Sequence, residues 1–211
     1  MKPAYGFCLM AVFSVASPAT SFLHNVKKSN AGAQNITKIL NRLDKTYYIL
    51  RGTYSSDESP MIRYSYYRFR CGKITISEGL SPTNFTALVS FENPRSTADV
   101  TAKYLLRAFS SKGMWPTRNF MAVYKYYPAP REHIFVDLMF LLLSDYETCA
   151  LFGRQPSEEC EIWYYAKPNK TWSPVGNTVC DNFSAMCANK KMVSYHKKKW
   201  ESYHDPKCVF K

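Results

Sequence analysis

The sequence predicts an all-β fold, an antiparallel barrel or sandwich, from two features of the chain. Eight or nine short segments rich in aromatic and branched residues follow one another, and such residues favour strands. The segments between them are rich in Gly, Pro, Ser, Asn and Asp, which favour turns, and no long helical pattern separates them. Because the 211 residues contain no internal repeat and no low-complexity linker, we expect one domain.

The chain begins with a segment typical of a secretory signal peptide. Lys2 precedes an apolar run of 11 residues, Tyr5–Val15, which is too short to cross a bilayer because a helical span needs about 20 residues. Small residues place the cleavage site after Ala16 or after Ser21. We therefore expect a signal peptide over residues 1–21 and one secreted, extracellular domain over residues 22–211.

One amphipathic helix is predicted before the first strand, because Ile36, Ile39, Leu40 and Leu43 recur at helical spacing. A short helix is predicted near the C-terminus, over Val179–Met186. The predicted strands are Thr46–Tyr54, Met61–Cys71, Lys73–Ser77, Phe85–Glu92, Thr101–Phe109, Asn119–Tyr127, His133–Ser144, Thr148–Phe152 and Glu161–Ala166.

The segment Ile134–Leu143 is almost wholly apolar, which predicts a strand with both faces covered. Asp137 lies in the middle of it. A carboxylate there is costly unless a cation or hydrogen bonds satisfy it. A structural ion pair is the favoured interpretation, because structural carboxylates are commoner than ligand-binding ones. The alternative is that Asp137 is the counter-ion of a ligand.

The seven cysteines become six when the signal peptide is removed, because Cys8 lies within it. Six cysteines in a secreted domain predict three disulfides, with 15 possible connectivities. A zinc site is the weaker interpretation, because the sequence has no C-x-x-C pair and its four His are scattered. Secretion also gives meaning to four N-glycosylation sequons, and we expect some of them to carry glycan: Asn35, Asn84, Asn169 and Asn182.

Charge is concentrated at the C-terminus. The net charge of +12 becomes +11 without Lys2, and seven Lys against Glu201 and Asp205 leave +5 in the last 25 residues. A solvated edge protected by lysines is the favoured interpretation. The alternative is a surface that binds a host protein or a glycosaminoglycan. Its lysines are Lys190, Lys191, Lys197, Lys198, Lys199, Lys207 and Lys211.

The sequence contains none of the common catalytic motifs: no G-x-S-x-G, no H-E-x-x-H and no P-loop. We therefore expect a protein that is not an enzyme and needs no cofactor or metal. We also expect a monomer that binds no nucleic acid and has no membrane span.

Several segments resemble the tick salivary lipocalins of the histamine-binding protein family, over nearly all of the mature chain. The resemblance rests on their order and spacing, and vertebrate lipocalins are less similar because no clear Gly-x-Trp lies near the first strand. The matching segments are the N-terminal helix leading into Thr46–Tyr54, then Ser144–Cys149, Cys160–Trp163, Cys180-x-x-Phe183-x-x-x-Cys187 and Cys208.

This resemblance implies an all-β fold, an eight-stranded antiparallel lipocalin-type barrel with an internal cavity. An N-terminal helix and a short C-terminal helix would accompany the barrel. The family pattern also implies one choice among the 15 connectivities, with the disulfides Cys71–Cys208, Cys149–Cys180 and Cys160–Cys187.

The resemblance further implies a protein of tick saliva that binds a biogenic amine, histamine or serotonin, and so helps to evade the host immune response. An ammonium group taken from water must meet a carboxylate, and ring faces add about 0.5–2 kcal/mol of cation–π attraction. Glu161, Trp163 and Tyr165 alternate along one strand, so their side chains share a face. The residues matching the family's amine site are Tyr54, Asp57, Phe135, Asp137, Glu161 and Trp163.

One feature points away from a simple amine binder, and the family offers an alternative ligand. Ala150 stands where the amine binders have Asp, which leaves one of their two amine sites incomplete. Some relatives bind eicosanoids, so a leukotriene or a fatty acid in the same barrel is the alternative ligand. Side chains alternate between the two faces of a strand, so Arg63 points to the opposite face from Arg68 and Arg70, and not all three can point inward. The groups on the first two strands that would meet such a carboxylate are Arg51, Arg63, Arg68, Arg70, Tyr64, Tyr66 and Tyr67.

Overall fold

Two short helices and nine strands make up the part of the chain that the computed structural model describes, residues 34–53, 72–91, 100–110, 117–128, 132–155, 159–168, 174–182 and 193–194. In chain order they are α1 (Thr37–Leu40), β1 (Thr46–Gly52), β2 (Gly72–Ser81), β3 (Asn84–Phe91), β4 (Val100–Phe109), β5 (Phe120–Lys125), β6 (Ile134–Ser144), β7 (Cys149–Gln155), β8 (Cys160–Tyr164), α2 (Val179–Asn182) and β9 (Val193–Ser194).

Strands β1 to β8 form a closed antiparallel barrel, which confirms the predicted fold class. Each strand from β2 to β8 pairs with the next, and β1 closes the barrel between β8 and β2. Ile49 pairs with Trp163 of β8, and Tyr47 pairs with Ile74 of β2. The sequence did not predict β9. This strand pairs with Arg51 and Gly52 at the end of β1, after the residues of β1 that pair with β2.

Helix α1 covers one end of the barrel. Ile36, Ile39 and Leu40 are fully buried in the core inside the barrel, and the Tyr47 hydroxyl donates a 2.9 Å hydrogen bond to the carbonyl of Ile39. These contacts place α1 beside the start of β1. Because neighbouring strands run antiparallel, β6 begins, β7 ends and β8 begins at the opposite end of the barrel.

The helix is shorter than the apolar spacing predicted. Asp44 adopts a left-handed conformation with φ of 59°, and its amide donates a 2.7 Å hydrogen bond to the carbonyl of Ile76. This bond draws the chain onto β2 soon after α1 ends. Leu43, the last position of the predicted apolar stripe, is consequently 50% exposed.

The segment around α2 covers the outer face of β6, β7, β8 and β1. The expected disulfide Cys149–Cys180 joins this segment to β7. The Arg51 guanidinium and the Tyr164 hydroxyl each donate a 2.8 Å hydrogen bond to Asp181. Outward-facing apolar residues of these strands form a second core beneath α2: Leu50, Phe140, Leu142, Leu151 and Ile162.

This second core explains the apolar character of β6. All residues from Met139 to Ser144 are buried, as expected for a strand covered on both faces. The start of the strand differs from that prediction, because Ile134 and Phe135 are 59% and 52% exposed.

Several predictions lie outside the described residues and stay predictions. Cys160 is disulfide-bonded, but its expected partner Cys187 is one of these residues. In the described ranges, neither helix has the length or the apolar character needed to cross a membrane. The other predictions concerned are the signal peptide, the strand Met61–Cys71, the Cys71–Cys208 disulfide, Tyr54, Asp57, Asn169 and the basic C-terminal tail.

Candidate functional site

Two carboxylates and one guanidinium are buried in the barrel at the end remote from α1. Asp137 lies near the start of β6, Arg154 near the end of β7 and Glu161 at the start of β8. None of the three side chains is more than 3% exposed. Charged side chains are rarely buried to this extent, so this cluster is the candidate functional site.

Arg154 and Asp137 form an ion pair. The Arg154 Nε donates to the Asp137 Oδ2 at 2.6 Å, and the Leu138 amide donates to the other carboxylate oxygen at 2.8 Å. Burial nevertheless raises the pKa of Asp137 above its ordinary value, against the lowering effect of these two donors, and the nearby Glu161 adds to the rise. The pair confirms the ion-pair interpretation of Asp137.

Glu161 is oriented by one hydrogen-bond donor and lies near one cation. The Trp163 Nε1 donates a 2.6 Å hydrogen bond to the Glu161 Oε1, and the Arg154 Nη1 lies 3.8 Å from the Glu161 Oε2. Glu161 and Trp163 are two residues apart on β8, so both side chains face the barrel interior. Arg154 therefore lies between two carboxylates, one on β6 and one on β8.

Aromatic rings line the barrel interior from Glu161 toward the α1 end. Phe152 and Trp163 have ring centroids 4.4 Å apart, and Tyr47 lies 5.7 Å from Trp163 and 4.9 Å from Tyr165. Burial raises the pKa of Tyr165 to about 12 and also raises that of Tyr47. The Arg42 guanidinium lies 5.3 Å from the centre of the Tyr165 ring, so Trp163 and Phe152 are the rings nearest to Glu161 that could face a cation.

Tyr104 adds an unusual polar group to the interior. Its side chain is fully buried, and within the described part of the chain its hydroxyl has no hydrogen-bond partner. Burial raises its pKa, and the positive charge of Arg154 partly offsets the rise. A buried hydroxyl without a partner is costly, so this hydroxyl is available to a polar ligand group.

The structure brings only part of the predicted amine site together. Asp137, Glu161 and Trp163 share the barrel interior, whereas Phe135 is exposed and packs edge-on against Tyr124 at 5.7 Å. A register shift between Val123 and Tyr124 in the pairing of β5 with β6 explains the difference. A shift of one residue turns the side chains that follow to the other face of the sheet.

Ala150 occupies the interior beside this site. It pairs directly with Trp163 across β7 and β8, and it is fully buried. The position at which the amine binders carry Asp therefore faces the barrel core in this chain, with a methyl group in place of a carboxylate.

Arg154 was missed by the sequence analysis, because the predicted strand ended at Phe152. The strand extends through Gly153 to Gln155, and Ala150, Phe152 and Arg154 then share one face by simple alternation. The sequence signal for Arg154 was its position two residues after Phe152 and four after Ala150, which places it on the same strand face as these two apolar residues.

Three of the four sequons lie among the described residues. Asn182 is exposed, and Asn35 and Asn84 are half-buried. The Asn35 Oδ1 accepts hydrogen bonds from the Thr37 amide and hydroxyl, at 3.2 and 2.6 Å. Their glycosylation stays a prediction. No group of three or more His, Cys, Asp or Glu side chains suited to a metal ion occurs in the described ranges.

Comparison with known proteins identifies a family and solved structures that are similar to this chain. Residues 24–208 match the family described as tick histamine binding protein. The crystal structure of AM182 with serotonin is similar at a TM-score of 0.45 and 15% sequence identity, covering 81% of this chain and 92% of that one. No curated protein gives a significant match.

Proposed function

The chain belongs to the tick histamine-binding protein family, and from this premise we propose that it sequesters a biogenic amine, histamine or serotonin, inside its barrel. The carrying observation is the buried carboxylate of Glu161, which is 1% exposed and oriented by Trp163 among aromatic rings. A protonated amine needs a carboxylate and gains from ring faces, and this arrangement supplies both.

Glu161 is the better of the two carboxylates for this role. The Arg154 Nε holds Asp137 at 2.6 Å, whereas the Arg154 Nη1 is 3.8 Å from Glu161. Attraction between charges falls with distance, so the guanidinium offsets the charge of Glu161 less than that of Asp137. The Tyr104 hydroxyl supports the proposal, because it can accept a hydrogen bond from an ammonium or indole N–H group.

The proposal includes the biological setting. A secreted protein of tick saliva that removes an amine stoichiometrically, without catalysis, would reduce inflammation at the feeding site. The predicted signal peptide, the Cys149–Cys180 disulfide and the membership of the family support this setting, because disulfides persist mainly in oxidising compartments.

Calorimetric titration of the refolded chain with histamine and with serotonin tests the amine proposal. We expect saturable binding of at least one of them, weakened about 10- to 100-fold by Glu161→Gln, because a charge-assisted hydrogen bond contributes about 1.5–3 kcal/mol. Glu147→Gln is the matched control, since Glu147 is exposed in the turn between β6 and β7 at the α1 end. Equal affinities in the wild type and Glu161→Gln would contradict the assignment of Glu161.

A lipid mediator such as a leukotriene is the second candidate, and Arg154 is the observation that favours it. Its guanidinium is fully buried inside the barrel, and a guanidinium binds a carboxylate in a bidentate geometry. The same titrations with a leukotriene separate the candidates. If the protein binds a leukotriene and no amine, and Arg154→Gln abolishes that binding, the result would support the lipid proposal and contradict the amine proposal.

A further inference from the structure

Three neighbouring strands on one side of the barrel carry cations and no carboxylate. Within β3, β4 and β5 the charged residues are Lys103, Arg107 and Lys125, all of them basic. Arg118, which is exposed, precedes β5. This side of the barrel lies opposite β8, since β4 and β8 are four strands apart in the closed sheet. It is also separate from the interior site that carries the proposed function.

Aromatic rings hold two of these cations on the outer surface. The Lys103 Nζ lies 4.6 Å from the centre of the Tyr126 ring, and the Arg107 Cζ lies 4.9 Å from that of Tyr124. Phe135, 52% exposed, packs edge-on against Tyr124. We call these five residues the basic aromatic face. Cation–π contacts restrict long side chains, so the charges of this face are partly ordered before any partner arrives.

A groove continues the basic aromatic face toward the α1 end of the barrel. Its volume is about 660 Å³, and Arg107, Arg118, Thr83, Asn84, Ser110 and Phe109 contribute to its lining. The Arg107 Nε is buried and has no hydrogen-bond partner within the described part of the chain. A buried donor without an acceptor is costly, and an anion placed in the groove would supply that acceptor.

We propose that the basic aromatic face and its groove bind a sulfated polysaccharide. Sulfate groups match the fork of a guanidinium and the charge of an ammonium, as other oxyanions do. The exposed ring of Phe135 offers an apolar surface to the C–H groups of a sugar ring, and the hydroxyl and amide groups of the groove offer hydrogen bonds to sugar hydroxyls. The net charge of +11 on the mature chain, +12 less Lys2, attracts such a polyanion from a distance.

The test measures binding of a fluorescently labelled heparin octasaccharide by anisotropy, over a range of salt concentrations. The protein is the whole mature chain refolded without glycans, since Asn84 lies in the groove. We expect Lys103→Gln and Arg107→Gln each to weaken binding about three- to tenfold. Each should also make the slope of log affinity against log salt about one unit less steep, because binding of a variant with one cation fewer releases about one counterion fewer.

Lys167→Gln is the matched control, because this exposed lysine follows β8 on the opposite side of the barrel. It removes the same charge and should leave affinity within about twofold, because salt screens charges that lie far from the bound polyanion. Arg118→Gln and Lys103→Gln change exposed side chains, so they keep the test decisive if Arg107→Gln does not fold. Amine titration of these variants should match the wild type, because the interior site is untouched.

Three outcomes would overturn the proposal. In the first, Lys103→Gln, Arg107→Gln and Arg118→Gln bind the octasaccharide like the wild type. In the second, replacing Lys197, Lys198 and Lys199 with Gln abolishes all binding, which assigns it to the C-terminal tail. In the third, a single-stranded oligonucleotide of equal charge binds as tightly at the same salt, which would show attraction to any polyanion.

Discussion

The indole Nε1 of Trp163 donates a 2.6 Å hydrogen bond to the Oε1 of Glu161, two residues earlier on the same strand. Both side chains are buried in the barrel. A donor two residues away on one strand face fixes a carboxylate without any contribution from another strand. The contact therefore sets the direction in which Glu161 presents its second oxygen, toward Arg154 and the interior.

Replacing Trp163 with Phe should lower amine affinity about five- to tenfold, because Glu161 loses the donor that orients it. Calorimetric titration with the amine that the wild type binds measures the change. Tyr164→Phe is the matched control. It removes a donor to the carboxylate of Asp181 from the neighbouring position of β8, on the outer face. An equal loss of affinity in both variants would refute a specific role for the Trp163 hydrogen bond.

Replacing Arg154 with Met should lower the free energy of unfolding by about 3–5 kcal/mol, because it leaves the buried Asp137 without its cation. Urea unfolding followed by circular dichroism measures the loss. Asp137→Asn combined with Arg154→Met should recover part of it, since the double variant removes both charges of the pair. If the double variant loses the sum of the two single losses, the pair is not coupled.

Removing the Cys149–Cys180 disulfide with two Ala substitutions should lower the free energy of unfolding by about 3–4 kcal/mol. The bridge spans a sequence separation of 31 residues, and loop-closure entropy gives this magnitude. Urea unfolding under non-reducing conditions checks it. The amine affinity of the folded variant should stay unchanged, because this disulfide lies on the outer face; a lost affinity would show that α2 positions the interior site.

The ionisation of Asp137 should destabilise the folded state as the pH rises. Its pKa is raised by burial above 3.8, so the folded chain holds this proton more tightly than the unfolded chain does. The stability gained from the proton is fully present below pH about 4 and is lost as the pH rises through the folded pKa. The unfolding free energy of the wild type, relative to Asp137→Asn, should therefore fall as the pH rises from about 4 through the folded pKa of Asp137.

Asp145 supplies a control of opposite sign. Partial burial opposes the lowering of its pKa, but hydrogen bonds from the Thr148 hydroxyl and from the amides of Glu147, Thr148 and Cys149 outweigh that effect. The wild type should lose stability relative to Asp145→Asn as the pH falls from about 4 through the folded pKa of Asp145, so its slope has the opposite sign to that of Asp137. Urea unfolding at several pH values measures both slopes, and slopes of equal sign would contradict the pKa direction of Asp137.

Much of the fold was predictable because strand patterns are local. The alternation of Glu161, Trp163 and Tyr165 places them on one face in any antiparallel sheet, and the structure has all three buried in the barrel. The helix α1 was predicted in its place but was too long. The helix ends at Leu40, and the chain is then drawn onto β2 by the hydrogen bond between Asp44 and Ile76. These two residues are far apart in the sequence, so no local pattern predicts the bond.

The candidate site was predictable only in part, because it combines three strands. Glu161 and Trp163 follow from one strand alone, whereas the partner of Asp137 depends on which strand pairs with β6 and in which register. Phe135 shows the same dependence. Phe135 lies two residues before Asp137, so in a regular strand both side chains would face the barrel interior. The register shift between β5 and β6 places Phe135 on the outer surface instead.

The sequence by itself determined the strand segments, the face that each side chain takes within a regular strand, the cysteine count and the excess of positive charge. These properties depend on the residue types and on the two-residue period of a strand. Only the tertiary structure decided that Arg154 lies between Asp137 and Glu161, that Phe135 leaves the interior and that Lys103 and Arg107 rest on aromatic rings. Each of these contacts joins different strands, so it depends on the closure and register of the barrel, which no local pattern contains.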